Sequence, residues 1–183
     1  MERESTSSIL PIGSTMPDFE LLNVDGKRLG SRYLSDAKAS LVAFLCNHCP
    51  YVKGSEEMLI EIVKRFQPLG LKTVTINSND AGKYPEDSYP KMQEKAVTLA
   101  LPYPYLYDES QEVARAFDAA CTPEFFLFDS SMTLVYQGTI NDSPRDKSKV
   151  TKDYLSSAIE AALAGKTPDP QFVHPLGCSI KWR

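Results

Sequence analysis

Two cysteines, Cys46 and Cys49, bracket two residues in the run Cys46-Asn47-His48-Cys49-Pro50, behind the apolar stretch Leu41-Val42-Ala43-Phe44-Leu45 and ahead of a helical pattern. Thiols held where a strand hands over to a helix N-terminus are placed for electron-pair chemistry, because the partial positive charge of that terminus stabilises a thiolate. An unperturbed thiol, with a pKa of about 8.5, is only a few per cent ionised near neutrality, whereas such a setting brings it to roughly 3.5–7.5. Both sulfurs lie within one turn, so the pair is able to close a disulfide.

Pro50 bears on which thiol gains the charge. Proline is best tolerated at the first helical position, where its missing N–H would have been unpaired anyway, and this makes Cys49 the N-cap. The other count makes Cys46 the attacking thiol and Cys49 its partner, and needs Pro50 deeper in the helix. His48, between the thiols, would in its charged form stabilise a thiolate and favour the reduced dithiol; the alternative is an exposed loop histidine without that role. Paired cysteines also build zinc sites, but those want a second pair or added histidines, and only Cys121, Cys178 and His174 are left over. No metal and no cofactor is therefore expected. Thiols beside an imidazole also suit Cu(I), so a copper-binding carrier is the non-enzymatic alternative.

The remaining composition narrows the partners. The chain has 183 residues and a mildly acidic net charge of -4, which opposes phosphate backbones and argues against nucleic acid. No run approaches the roughly 18 apolar residues of a membrane span, and the first eight residues are polar, so no membrane and a cytoplasmic address are expected. Cytosolic thiols are kept reduced, and the four cysteines read as catalytic or metal-binding rather than as a structural framework.

The positioning elements follow from periodicity. Residues 1–15 read as a flexible N-terminal arm, and 16–183 as one domain including a Pro-rich C-terminal tail. Residues 19–22 and 27–29 flank Asp25-Gly26 as a hairpin. The apolar run 41–45 reads as a buried strand, followed by a helix with Leu59, Ile62, Val63 and Phe66 inward and stopped at Pro68 and Gly70. Residues 71–76 form the next strand of a parallel βαβ unit. A second helix is expected to place Met92, Ala96 and Leu99 on one face, and Asp108 with Gln111 to make a capping box for a short third helix. Residues 125–128 and 134–137 form a hairpin, and Thr151 caps a last helix carrying Leu155, Ala158, Ile159 and Ala162.

This order, with the dithiol at the end of the first core strand and Thr122-Pro123 opening the later hairpin strand, resembles the thioredoxin superfamily, which keeps a dithiol and a cis-proline in those places. The stretch Tyr103-Pro104-Tyr105-Leu106-Tyr107-Asp108-Glu109-Ser110-Gln111-Glu112-Val113-Ala114 resembles peroxiredoxin and alkyl-hydroperoxide-reductase proteins. From residue 11 onward the chain is similar to bacterial thioredoxin-like redoxin-domain proteins bearing Cys46-Asn47-His48-Cys49-Pro50-Tyr51-Val52 and a tail like Gly177-Cys178-Ser179-Ile180-Lys181-Trp182. The resemblance implies an α/β thioredoxin fold: a central mixed sheet flanked by helices, with an N-terminal β-hairpin extension and a C-terminal tail. In a thioredoxin the attacking cysteine lies five residues beyond the aromatic of the preceding strand, and counting from Phe44 lands on Cys49. A peroxiredoxin follows its reactive cysteine with proline and keeps a threonine three residues before it, where this chain has Cys46.

The implied activity is a thiol–disulfide oxidoreductase in which one thiol of Cys46/Cys49 attacks and the other resolves, with a thiol peroxidase as the alternative. Substrates would be protein disulfides or hydroperoxides, with a reductase or thioredoxin as electron donor. Thr122 beside Pro123 would pair with an extended substrate chain. Cys121 and Cys178 are accessory thiols, the first equally readable as a buried core thiol, the second as a resolving partner or as part of a tail pinned by Ile180 and Trp182. Asn77, Asn79, Asp80 and Asp142 read as solvated turn residues, and Tyr84, Tyr89, Tyr103, Tyr105 and Tyr107 as half-buried aromatics or a docking surface.

Overall fold

The computed structural model describes residues 10–183. Asp25-Gly26 turns the chain between β1 (Glu20–Asn23) and β2 (Arg28–Gly30), which pair antiparallel with Leu21 opposite Leu29. Gly26 takes φ 85° and donates its N–H to Asn23 O at 2.9 Å, a backbone geometry in which a side chain would be strained. A single helical turn, α1 (Ser31–Leu34), leads into β3 (Ala39–Phe44), which is buried along its whole length because both its faces are covered. Helix α2 (Pro50–Phe66) buries Leu59, Ile62, Val63 and Phe66, and ends through a 3₁₀ turn into Gly70 at φ 111°. β4 (Leu71–Asn77) then runs parallel to β3.

Helix α3 (Tyr89–Thr98) departs from its expected pattern: only Met92 is buried, and Leu99 lies exposed beyond its end. Its first turns meet β5 (Tyr105–Tyr107), a three-residue strand too short to show a period, while its last turn reaches into solvent. Helix α4 (Glu112–Ala116) is capped by Asp108, whose carboxylate accepts the N–H groups of Val113 (3.3 Å) and Ala114 (2.9 Å). Gln111 does not complete a capping box, because its amide donates to Ser78 O and Lys181 O instead. Next come β6 (Cys121–Thr122), β7 (Glu124–Asp129) and β8 (Leu134–Gly138), the last two an antiparallel hairpin. Helix α5 (Tyr154–Leu163) is capped by Asp153, which accepts from Ser156 N at 3.0 Å. Thr151, the expected cap, has its N–H and hydroxyl taken by Asp142. The tail adds β9 (Phe172–Val173) and β10 (Cys178–Ser179).

Among the described residues, eight strands form one mixed sheet in the order β2-β1-β5-β4-β3-β7-β8-β9, and β10 pairs with β6 apart from it. Leu41 and Ala43 of β3 face α2 and α5, while Val42 and Phe44 face the layer holding Leu34, Val113 and Phe117. Part of the segment expected as an arm is tied to the fold. Gly13 donates to Leu134 O at 2.8 Å and Met16 to Met132 O at 2.9 Å, and Leu10 packs on the core, because β8 offers them backbone partners and apolar cover. Residues 1–9 of that arm lie outside the described residues. No helix among the described residues is long and apolar enough to cross a membrane.

Phe117 is the hub of the second layer. Its ring meets those of Phe19, Phe44, Phe126 and Phe128 edge-on at centroid distances of 5.8, 5.4, 5.3 and 6.1 Å. Phe117→Ala is expected to lower unfolding stability by about 3–5 kcal/mol in denaturant titration; a loss below about 1 kcal/mol would mean that this cluster does not hold the layer.

Candidate functional site

β3 ends beneath the dithiol. Leu45 still donates to Ile76 O at 2.8 Å, and the chain then leaves the sheet, carrying Cys46 and Cys49 into the helix start. Cys49 is the N-cap of α2 with Pro50 at the first helical position, as proline's geometry favours. All four cysteines are free thiols. Neither member of the pair is open to solvent: Cys46 is 1% and Cys49 0% exposed.

Their environments push the two thiols apart. Cys49 is held well below the ordinary thiol range, first by a hydrogen bond from the Cys46 thiol, against the cost of burial. The Cys178 thiol and the N–H groups of Val52 and Cys178 act in the same direction. The Val52 N–H faces the sulfur without closing a full capping hydrogen bond, so its contribution is partly that of the helix terminus as a whole. Cys46 is pushed up, because it is the donor in that bond and is buried, and because the negative charge of Asp87 is close. These environments favour ionisation of Cys49 over Cys46.

The Thr122-Pro123 peptide is cis and lies against both thiols. Thr122 Oγ1 is 3.4 Å from Cys46 Sγ, and Thr122 O is 3.3 Å from Cys49 Sγ. The edge of Thr122, expected to be open for a substrate strand, carries β10 of the chain's own tail, with Cys178 opposite Thr122. Cys121 points away, its sulfur 3.9 Å from Pro123 O. Burial and the neighbouring Glu124 carboxylate keep it protonated, which is the behaviour of a core thiol.

His48 is neither freely exposed nor aimed at Cys49. Its Nδ1 lies 2.6 Å from Asp87 Oδ2, and its ring stacks on Tyr84. Asp87 is fully buried and also accepts from Asn47 N (2.6 Å), Asn79 Nδ2 (2.9 Å) and Asn77 Nδ2 (3.4 Å). Asn77, Asn79 and Asp80, read from sequence as solvated, are thus interior: the loop after β4 folds inward to satisfy this carboxylate and the tail. Asp142 does remain a loop cap. Tyr103 and Tyr105 are core residues rather than a surface, with the Tyr105 hydroxyl donating to Asn47 Oδ1 at 2.9 Å.

Sequence reasoning missed Asp87 and a half-buried ion pair, Lys95 with Glu56, whose ammonium also donates to Cys46 O at 3.1 Å. Neither carries a local motif. Asp87 lies 38 residues beyond Cys49 in a 3₁₀ turn, and only its place between two prolines hinted at an ordered loop. The donor atoms of Cys46, His48 and Asp87 lie within 4.8 Å of one another, so the group is compact enough for a metal ion. Both Asp87 carboxylate oxygens already accept hydrogen bonds, Oδ1 from Asn47 N and Asn77 Nδ2 and Oδ2 from Asn79 Nδ2.

Residues 12–137 match the AhpC/TSA family. An uncharacterised conserved protein from Geobacillus kaustophilus superimposes with a TM-score of 0.91 at 42% identity, covering 97% of this chain and 95% of its own. A hypothetical protein from Sinorhizobium meliloti does so with a TM-score of 0.91 at 38% identity, covering 97% of each chain. A thiol:disulfide interchange protein of the thioredoxin family from Chlorobium tepidum shares the fold alone, with a TM-score of 0.64 and 23% identity over 82% of this chain and 97% of that one. No curated protein matches the chain. With a mixed sheet of thioredoxin type and a family match spanning more than half its length, the chain belongs to the AhpC/TSA family and has the thioredoxin fold.

Proposed function

We propose that the protein is a thiol–disulfide oxidoreductase in which Cys49 attacks and Cys46 resolves. The observation that carries this reading is the seat of Cys49 as N-cap of α2, with Pro50 at the first helical position and the cis Thr122-Pro123 peptide in contact with both thiols. Cys49, as thiolate, displaces one sulfur of a partner disulfide; Cys46 then attacks the Cys49 sulfur of the mixed disulfide and expels the second. That second attack needs Cys46 to lose its proton, which its environment resists. The buried Asp87 carboxylate and the His48 imidazole are the groups near enough to draw the proton off. An external dithiol or reductase of thioredoxin type would return the pair to its reduced form.

A thiol peroxidase is the second reading, favoured by the near-complete enclosure of both sulfurs, which admits a hydroperoxide more readily than a folded partner. In that reaction Cys49 becomes a sulfenic acid and Cys46 condenses with it, releasing water. The hydroxyl at the site belongs to Thr122, beside Cys46 rather than Cys49, so the peroxide-orienting group is not where a peroxiredoxin places it.

Reduction of insulin disulfides set against stopped-flow consumption of hydrogen peroxide separates the two. Disulfide reduction, of insulin or of a small disulfide run beside it, is expected with slow peroxide turnover, and the reverse would move the assignment to peroxidase. Cys49→Ser should abolish both reactions, whereas Cys46→Ser should still let Cys49 attack and leave it trapped in a disulfide that no Cys46 thiol can release; attack by Cys46 in Cys49→Ser instead would exchange the roles. A stabilised thiolate favours the reduced dithiol, so the Cys46–Cys49 couple is expected above roughly −230 mV in glutathione redox buffers, and a value near −270 mV would argue against the stabilisation. Asp87→Asn should slow resolution by about 10²-fold and flatten its pH dependence, with the first attack nearly unchanged; equal slowing of both steps would assign Asp87 a structural role only.

A further inference from the structure

The tail does not merely rest on the fold. β10 lies antiparallel to β6 with Cys178 opposite Thr122 and Ser179 opposite Cys121, and Ile180 extends the pairing by donating to Ala120 O at 3.0 Å. Gly177 approaches so closely that a Cβ there would stand 2.3 Å from Thr122 O, so the position requires glycine. The residues beyond are clamped. Ile180 is buried, Lys181 N donates to Asn79 Oδ1 at 2.9 Å, and Lys181 O accepts from Asp80 N (2.8 Å) and Gln111 Nε2 (2.9 Å). Arg183 N donates to Gln111 Oε1 at 3.1 Å, and the Arg115 guanidinium lies over the Trp182 ring. The outcome of this clamping is that Cys178 packs on the core cluster that holds Cys46 and Cys49 and sits opposite Thr122, whose carbonyl oxygen is 3.3 Å from Cys49 Sγ, on the backbone edge that an incoming strand would use.

We propose that Cys178 is a third reacting thiol, delivered by the tail strand in the place of a substrate strand, and that the oxidised substrate is a low-molecular-weight disulfide. This rests on the reading of Cys49 as nucleophile. Cys49 thiolate attacks a disulfide R–S–S–R′ and expels R′S⁻. Cys178 attacks the Cys49 sulfur of the mixed disulfide, forming the Cys49–Cys178 bond and expelling RS⁻, which takes the proton that Cys178 gives up. Cys46 then attacks the Cys49 sulfur, the Cys46–Cys49 bond forms, and Cys178 leaves with the proton lost by Cys46. Two electrons pass from the Cys46/Cys49 dithiol to the substrate, and Cys178 ends as the thiol it began. A small disulfide suits this sequence because it needs no backbone pairing at Thr122, whereas an extended protein strand would have to evict β10 first.

The test uses the full-length protein. Reduced Cys46→Ala is mixed with a slight excess of oxidised glutathione, acid-quenched over time, alkylated and mapped for disulfide-linked peptides by mass spectrometry. The Cys49–Cys178 disulfide is the expected main product. A persistent Cys49–glutathione adduct with Cys178 alkylated overturns the proposal. Gly177→Val in the same background lifts the strand without altering a thiol and should slow formation of the Cys49–Cys178 bond by about tenfold or more, through lost effective concentration; an unchanged rate also overturns it. The wild-type protein is mapped in parallel. If it forms Cys46–Cys49 while Cys46→Ala yields no Cys49–Cys178, this proposal alone fails; if Cys49 in the wild type does not react at all, the oxidoreductase reading fails with it.

Discussion

A buried negative charge must be paired or hydrogen-bonded, and on the proposed mechanism that charge sits on Cys49, whose side chain is buried. Its stabilisation comes from neutral donors: the Cys46 thiol, the Cys178 thiol, two backbone N–H groups and the N-terminus of α2. Such donors work only when held in place, since a thiol or amide that swings away leaves an uncompensated charge. Much of the architecture serves this placement. β3 and α2 fix the dithiol turn, the Thr122-Pro123 loop forms its wall, and the tail is clamped at both its backbone and its side chains.

The same constraint explains the second buried carboxylate. Asp87 would be costly in the interior without the Asn47 N–H, the amides of Asn77 and Asn79, and His48 around it, and its presence next to Cys46 keeps that thiol protonated. The two thiols therefore differ because Cys46 is the donor toward Cys49 and is buried, with the Asp87 charge adding in the same direction. On the proposed mechanism this asymmetry would distinguish nucleophile from resolving thiol before any substrate arrives, with Asp87 near enough to accept the Cys46 proton.

What was legible in the sequence was local. The strand–dithiol–helix junction, the Asp25-Gly26 hairpin, the buried stripe of α2 and the N-cap place of Cys49 all follow from periodicity or from the restricted φ of proline and freedom of glycine. What was not legible depends on pairing between segments far apart in the chain. β5, β6, β9 and β10 have two or three residues each and exist as strands because a partner edge waits for them. Asp87 looks like any acidic loop residue until the loop after β4 folds over it, and Asp153 outcompetes Thr151 as a cap only because Asp142 has engaged Thr151. Cys178 was visible as a tail thiol beside a glycine, but its seat opposite Thr122 is a tertiary fact.

The most direct test of the account is the ionisation of each cysteine followed separately, by nuclear magnetic resonance of ¹³Cβ-labelled cysteine across a pH series of the reduced wild-type protein. The account predicts that the Cys49 signal moves in a step well below neutrality while Cys46 shows no step up to about pH 9, the ordinary range for a thiol. A step below neutrality at Cys46, or an ordinary titration of Cys49 near pH 8.5, would contradict it.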